Sequence, residues 1–222
     1  MLLNNKNNTM KKTTLLLLLL SLITVCEAQN KYCLSYLDYL TDTWFPLEHL
    51  RFEYRSGNKS LWWGGSNFKP RTGDKKTDKL LKKKARFIMY NDSLYVNCRE
   101  MKVEGNVLGN WYSSAMAYDR GRFLFIALST NARSNTAGAA FMFGLIGGAI
   151  AASTNNDNYQ CYVLSPTSAE DAFVEPIDEK FMLKLLEGHD DLLAEYKAAS
   201  KEQNCYSPNV VIPILKKLGL VK

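Results

Sequence analysis

The chain has 222 residues, 46% of them hydrophobic, and a formal net charge of +6. That supplies apolar material for one core of ordinary size and excludes a disordered or low-complexity protein. The modest basic excess and the two histidines exclude a dedicated nucleic-acid binder and a histidine-rich metal protein.

The first segment reads as a targeting signal. Lys11 and Lys12 precede Leu15–Leu20, and the apolar run continues through Ile23 and Val25. A short basic head with an apolar core of this length predicts a secretory signal peptide over residues 1–28, too short for a spanning helix. Cys26-Glu27-Ala28 puts small residues where a signal peptidase reads, so cleavage is expected after Ala28. Lipidation at Cys26 is the rival reading, and Val25 before it argues against it. Residues 29–222 are then expected to form a single domain. Without Lys6, Lys11, Lys12 and Glu27, its net charge is +4.

Within Lys31–Leu40, Ser35 is placed to cap a short helix. Leu50–Arg55 alternates as a strand, with Phe52 and Tyr54 opposite Arg51, Glu53 and Arg55. Gly57-Asn58 marks a turn, and Ser60–Phe68 reads as a strand that bends at Gly64-Gly65. Thr72-Gly73-Asp74 opens a helix that runs to about Ala85. Its narrow apolar face is Leu80, Leu81 and Ala85, and its remaining surface is Lys75, Lys76, Lys79, Lys82, Lys83 and Lys84. Such a patch suits either contact with phosphate or anionic lipid, or the solvated side of a surface helix.

The strongest strand signals follow. Arg86–Tyr90 and Ser93–Arg99 alternate on either side of Asn91-Asp92, which predicts a two-residue hairpin with Leu94, Val96 and Cys98 on one face. A second hairpin joins Trp111–Tyr118 to Arg122–Leu128, with Gly121 supplying a positive φ in the turn. Phe123–Leu128 has no polar face, so that strand is expected to be covered on both sides.

Ala137–Ser153 carries no charge and repeats small residues at Ala140, Gly144, Gly148 and Ala152. On a helix that spacing forms one shallow groove, over a length of about 25 Å. Three readings stand: a helix buried in the core, a segment that dips into a membrane leaflet, and a self-association surface. Tyr159–Leu164 resumes the sheet, so residues 137–153 read as an insertion within a sheet-rich region, 46–164.

Residues 167–222 read as a helical tail. Ile177–Glu187 and Asp190–Lys201 are amphipathic, Asp190 or Asp191 can cap the second helix, and Ser207-Pro208 starts a last one containing Pro213. Residues 167–203 are acid-rich, the opposite of the Lys69–Arg86 region, and the two are placed to pair within the fold. The expected fold class is α+β: an antiparallel sheet of about five or six strands, covered by the basic helix, the apolar helix and the tail. After removal of the signal, Cys33, Cys98, Cys161 and Cys205 permit two disulfides in any of three connectivities, or four free buried thiols.

The segments Leu34–Leu40, Trp62-Trp63-Gly64-Gly65, Thr72-Gly73-Asp74 and Ala85–Arg99 resemble a family of exported proteins of unknown function from Gram-negative gut bacteria. The resemblance implies export and one compact α+β unit, and names no substrate. Gly144–Ala152 is similar to the glycine-zipper segments of small bacterial envelope proteins, which implies membrane proximity or self-packing.

No catalytic constellation emerges. His49 and His189 both read as surface residues, and there is no phosphate loop, dinucleotide fingerprint, zinc-protease helix or nucleophile elbow. No cofactor, metal or nucleic acid is expected. The leading expectation is an exported envelope or surface protein that acts by binding or assembly. The alternatives are a soluble binder of glycans or small ligands that uses Trp62 and Trp63, and a hydrolase built from scattered carboxylates.

Overall fold

The computed structural model describes residues 30–54, 68–129 and 159–221. The strand β1 (Lys31–Cys33) runs into α1 (Tyr36–Leu40) through Ser35, whose hydroxyl accepts from Asp38 N at 3.0 Å. The Asp38 carboxylate returns the contact to Ser35 N at 3.0 Å, closing a capping box on a helix of only five residues. The short strand β2 (Phe45–Pro46) pairs back onto β1. The hairpin β3 (Arg51–Tyr54) and β4 (Phe68–Arg71) follows, and α2 (Lys75–Lys83) starts at its N-cap Asp74.

The Asn91-Asp92 turn forms as its sequence predicts. Both residues take positive φ, 47° and 58°, as the favoured two-residue hairpin turn requires. It joins β5 (Phe87–Tyr90) to β6 (Ser93–Asn97) with Tyr90 opposite Ser93. The small hairpin β7 (Lys102–Val103) and β8 (Asn106–Val107) intervenes before β9 (Tyr112–Ala117) and β10 (Phe123–Leu128). Arg120 and Gly121 supply the positive φ of that turn. The sheet continues through β11 (Tyr159–Pro166) and β12 (Ala172–Pro176). Three helices end the chain: α3 (Glu179–Leu185), α4 (Asp190–Glu202) and α5 (Pro208–Lys217).

The main sheet has ten strands, all antiparallel, ordered β12-β11-β10-β9-β6-β5-β1-β2, with β4 joined to β9 and β3 to β4. The molecule is therefore mostly sheet, with a separate two-stranded sheet and five short helices among the described residues. This corrects the expected α+β arrangement with five or six strands. The strands β1, β2, β7 and β8 have two or three residues each, too few to show a period. The strand β12 lies in the acid-rich stretch that reads as helical tail.

The sheet coils until its ends share one core. Cys33 of β1, Phe87 of β5, Phe125 of β10, Tyr162 of β11 and Val174 of β12 belong to a single buried cluster. Tyr36 and Tyr39 of α1 plug it, and Tyr36 N donates to the Ala169 carbonyl in the β11–β12 turn at 2.9 Å. The strand β10 is covered on both sides, as its sequence requires. Phe123, Phe125 and Ala127 face this interior, while Leu124 and Ile126 face α3–α5.

The outer face carries two covers. Over β5, β6 and β9 lie α2 and the β3–β4 hairpin, packed through Leu81, Ala85, Ile88 and a cluster of rings around Phe52. Over β9, β10 and β11 lie α3–α5, packed through Met182, Leu186, Tyr196, Val211, Ile214 and Leu215. Pro208 stands at the start of α5, and Pro213 is inside the helix. The capping expected of Asp190 or Asp191 falls instead to His189, which makes no side-chain cap, and the two acids sit in the first turn. Among the described residues no ion pair joins the basic cover to the acidic one, so the expected pairing of the two regions does not form.

Candidate functional site

Register creates a concavity among the described residues. The strand β9 pairs with β6 from Tyr112 to Ala115 and then continues through Met116 and Ala117, paired only with β10. Where the β5–β6 hairpin ends at Asp92-Ser93, the side of β9 is therefore left open. The helix α5 crosses that opening and presents Pro208, Asn209, Ile212, Pro213 and Lys216, which share one helical face. The result is a groove of about 760 Å³, within the usual range for small-ligand sites.

Its chemistry is graded. Its apolar lining comes from both faces of the sheet, Leu94, Ala115 and Tyr39 on the interior side and Met116 and Ile212 on the side of α5. Ser93 and Ser114 add hydroxyls, and Gln203 and Asn209 add amides. Asp92 and Lys216 are exposed at the rim and carry opposite charges. Burial holds the Tyr39 phenol above its ordinary pKa, with Cys33 and Asp42 adding to the effect, so it stays a neutral donor at physiological pH. A set of hydroxyls, amides and two separated charges recognises polar groups at the ends of an apolar body.

The residues singled out by sequence fall elsewhere. Trp62 and Trp63 lie outside the described residues, as do the signal segment with Cys26 and Ala28, and residues 137–153 with Ala140, Gly144, Gly148 and Ala152. The two described tryptophans are not open platforms. Lys31 Nζ lies 4.8 Å from the Trp44 ring centre, and Lys69 and Lys82 lie 5.3 and 5.1 Å from that of Trp111. His49 and His189 are exposed, and neither lines the groove. Among the described residues, no group of three or more potential metal ligands gathers, and no helix is long and apolar enough to cross a membrane.

Among the described residues no disulfide links Cys33, Cys98, Cys161 and Cys205, the second of the two arrangements that the sequence permits. Phe87 of β5 pairs with Cys33 on one side and Val96 of β6 on the other. Cys33 is thus two strand spacings, roughly 10 Å, from the strand that leads to Cys98, beyond the ~7 Å reach of a disulfide. Cys161 faces α3–α5, with the sheet between it and both of those thiols. Burial pushes the Cys33 thiol up to about 12 and raises Cys161 as well, so both remain protonated.

Sequence reading missed the groove because its lining comes from α1, the β5–β6 turn, β9 and the α4–α5 region. The available signal was local: an Asn-Asp turn from which β6 starts, short of the end of a longer β9.

A family model described as "Family of unknown function (DUF6563)" matches residues 31–222. No curated protein and no solved structure matches the chain.

Proposed function

Because the chain belongs to this DUF6563 family of unknown function, we propose a role consistent with its groove: an exported, non-enzymatic binding protein of the cell envelope. It holds a small amphipathic molecule between β6, β9 and α5. The observation that carries this reading is the groove itself, with apolar lining from Leu94, Met116 and Ile212 and opposite charges, Asp92 and Lys216, at the rim. A ligand with an apolar body gains from this lining, and its polar end is met by the rim and the hydroxyls. Export rests on the basic and apolar pattern of residues 1–28.

The test uses an environment-sensitive apolar dye, anilinonaphthalene sulfonate, as the probe. Ala117 is an exposed lining residue at the end of β9, so Ala117→Trp fills the groove without entering the core. The expected result is saturable dye binding by the wild-type chain and loss of that binding in Ala117→Trp, with unchanged far-UV circular dichroism. Equal binding by both proteins, or none by the wild type, sinks the proposal.

A further inference from the structure

The acids beside α2 are all committed to internal contacts. Glu53 accepts from Arg71 Nε at 3.0 Å and pairs with Lys69 at 3.2 Å. Asp78 accepts from Thr72 N at 2.7 Å and from Thr72 Oγ1 at 2.9 Å, and pairs with Arg71 at 3.4 Å. Asp74 is consumed as the N-cap, accepting from Thr77 N at 2.8 Å and Thr77 Oγ1 at 2.6 Å. Lys75, Lys76, Lys79, Lys83 and Lys84 are exposed and have no ion-pair partner among the described residues.

These five ammonium groups stand on a rigid mount. The buried Asn97 amide donates to the carbonyls of Leu81, Lys82 and Ala85 at 3.3, 3.3 and 2.9 Å. The buried Tyr112 hydroxyl reaches Leu81 and Ala85 at 2.8 and 3.1 Å. The last turn of α2 is therefore tied down to β6 and β9, and the lysines face away from the sheet. The acids Glu179, Glu187, Asp190, Asp191 and Glu202 are exposed on α3 and α4 or the turn between them, over the other half of the outer face.

From this polarity we infer that α2 is a docking surface for an anionic lipid bilayer. A negatively charged plane attracts the unpaired lysines of α2 more strongly than the mixed charges of α3 and α4, where Lys180, Lys184, Lys197 and Lys201 are exposed among the acids, so it turns the α2 side toward itself. The lysines lie on the convex side of a helix about 13 Å long, whereas linear polyanions are held in grooves that follow their backbone. Lysine suits a fluid array of headgroups, because it acts as a point charge and needs no bidentate geometry. The outward face of α2 has no large apolar residue, so binding is electrostatic and falls with salt.

Vesicle co-sedimentation of the wild-type chain tests this, with phosphatidylcholine vesicles alone and with about one third phosphatidylglycerol. Binding is expected only to the anionic vesicles, with release at about 0.5 M salt. Lys75→Glu/Lys79→Glu/Lys83→Glu is expected to weaken it by roughly a hundredfold. All three positions are exposed, so its circular dichroism and melting should match the wild type. A Gly144→Asp/Gly148→Asp variant separates this surface from residues 137–153 and is expected to bind as the wild type does. The inference is overturned if the triple variant still sediments, if the wild type binds neutral vesicles equally, or if the glycine variant alone loses binding. It is also overturned if a DNA oligonucleotide binds more tightly than the vesicles.

Discussion

The α2 cover and the α3–α5 cover lie on the same outer face of one sheet, but different chemistry holds each of them. Under α2 the apolar contribution is narrow, mainly Leu81 and Ala85, and buried polar anchors from Asn97 and Tyr112 complete the attachment. Under α3–α5 the contact is wide and aliphatic, from Met182 through Leu186, Val211 and Ile214 to Leu215. Directional bonds need little area, so α2 can turn almost its whole outer surface over to lysine. Aliphatic burial needs area, so α3–α5 present broad undersides, and α5 leaves a groove where it overhangs the end of β6.

Alkali should shake this comparison hardest, because it titrates the interior that both covers share. Burial is the main cause that raises both Cys33 and Tyr36 to about 12. Their ordinary values are 9.0 and 10.0, so the unfolded chain loses these protons first. The associated stability is fully present below about pH 9 and is lost as pH rises through about 12, on the order of several kcal/mol. Urea unfolding from pH 8 upward checks this, and Cys33→Ala should make the loss shallower without moving its onset, because the buried Cys161 thiol starts from the same ordinary value.

The aliphatic cover is next. Leu215→Ala, at a fully buried position, should cost about 3 kcal/mol by urea unfolding. The polar anchor should cost less. Asn97→Ala strands the amide's carbonyl partners for about 2 kcal/mol, and Tyr112→Phe, which leaves the Asn97 bonds in place, about 1 kcal/mol. Amide hydrogen exchange sharpens the contrast: Asn97→Ala should release α2 and leave α5 protected. If both covers lose protection together, the two attachments are not separate.

The smallest effects lie at the helix starts. Asp74 caps α2, whereas His189 caps α4 without a side-chain bond. Asp74→Ala should lower stability by about 1 kcal/mol, and His189→Ser should raise it by about 0.5 kcal/mol, both read by thermal melting.

Sequence alone determined the local pieces of this protein. Ser35 as a cap, Thr72-Gly73-Asp74 as a helix start, Asn91-Asp92 and Gly121 as turns, the lysine-coated helix and the doubly covered β10 all follow from short-range rules of φ, capping and periodicity. The tertiary structure alone decided how many strands join the sheet, because strands of two or three residues exist only through hydrogen bonds to distant partners. It also decided that the thiols stay apart and that the groove opens beside Ala117. It kept the basic and acidic covers from pairing. Each of these depends on register and on which elements pack side by side, and neither quantity is carried by any single stretch of residues.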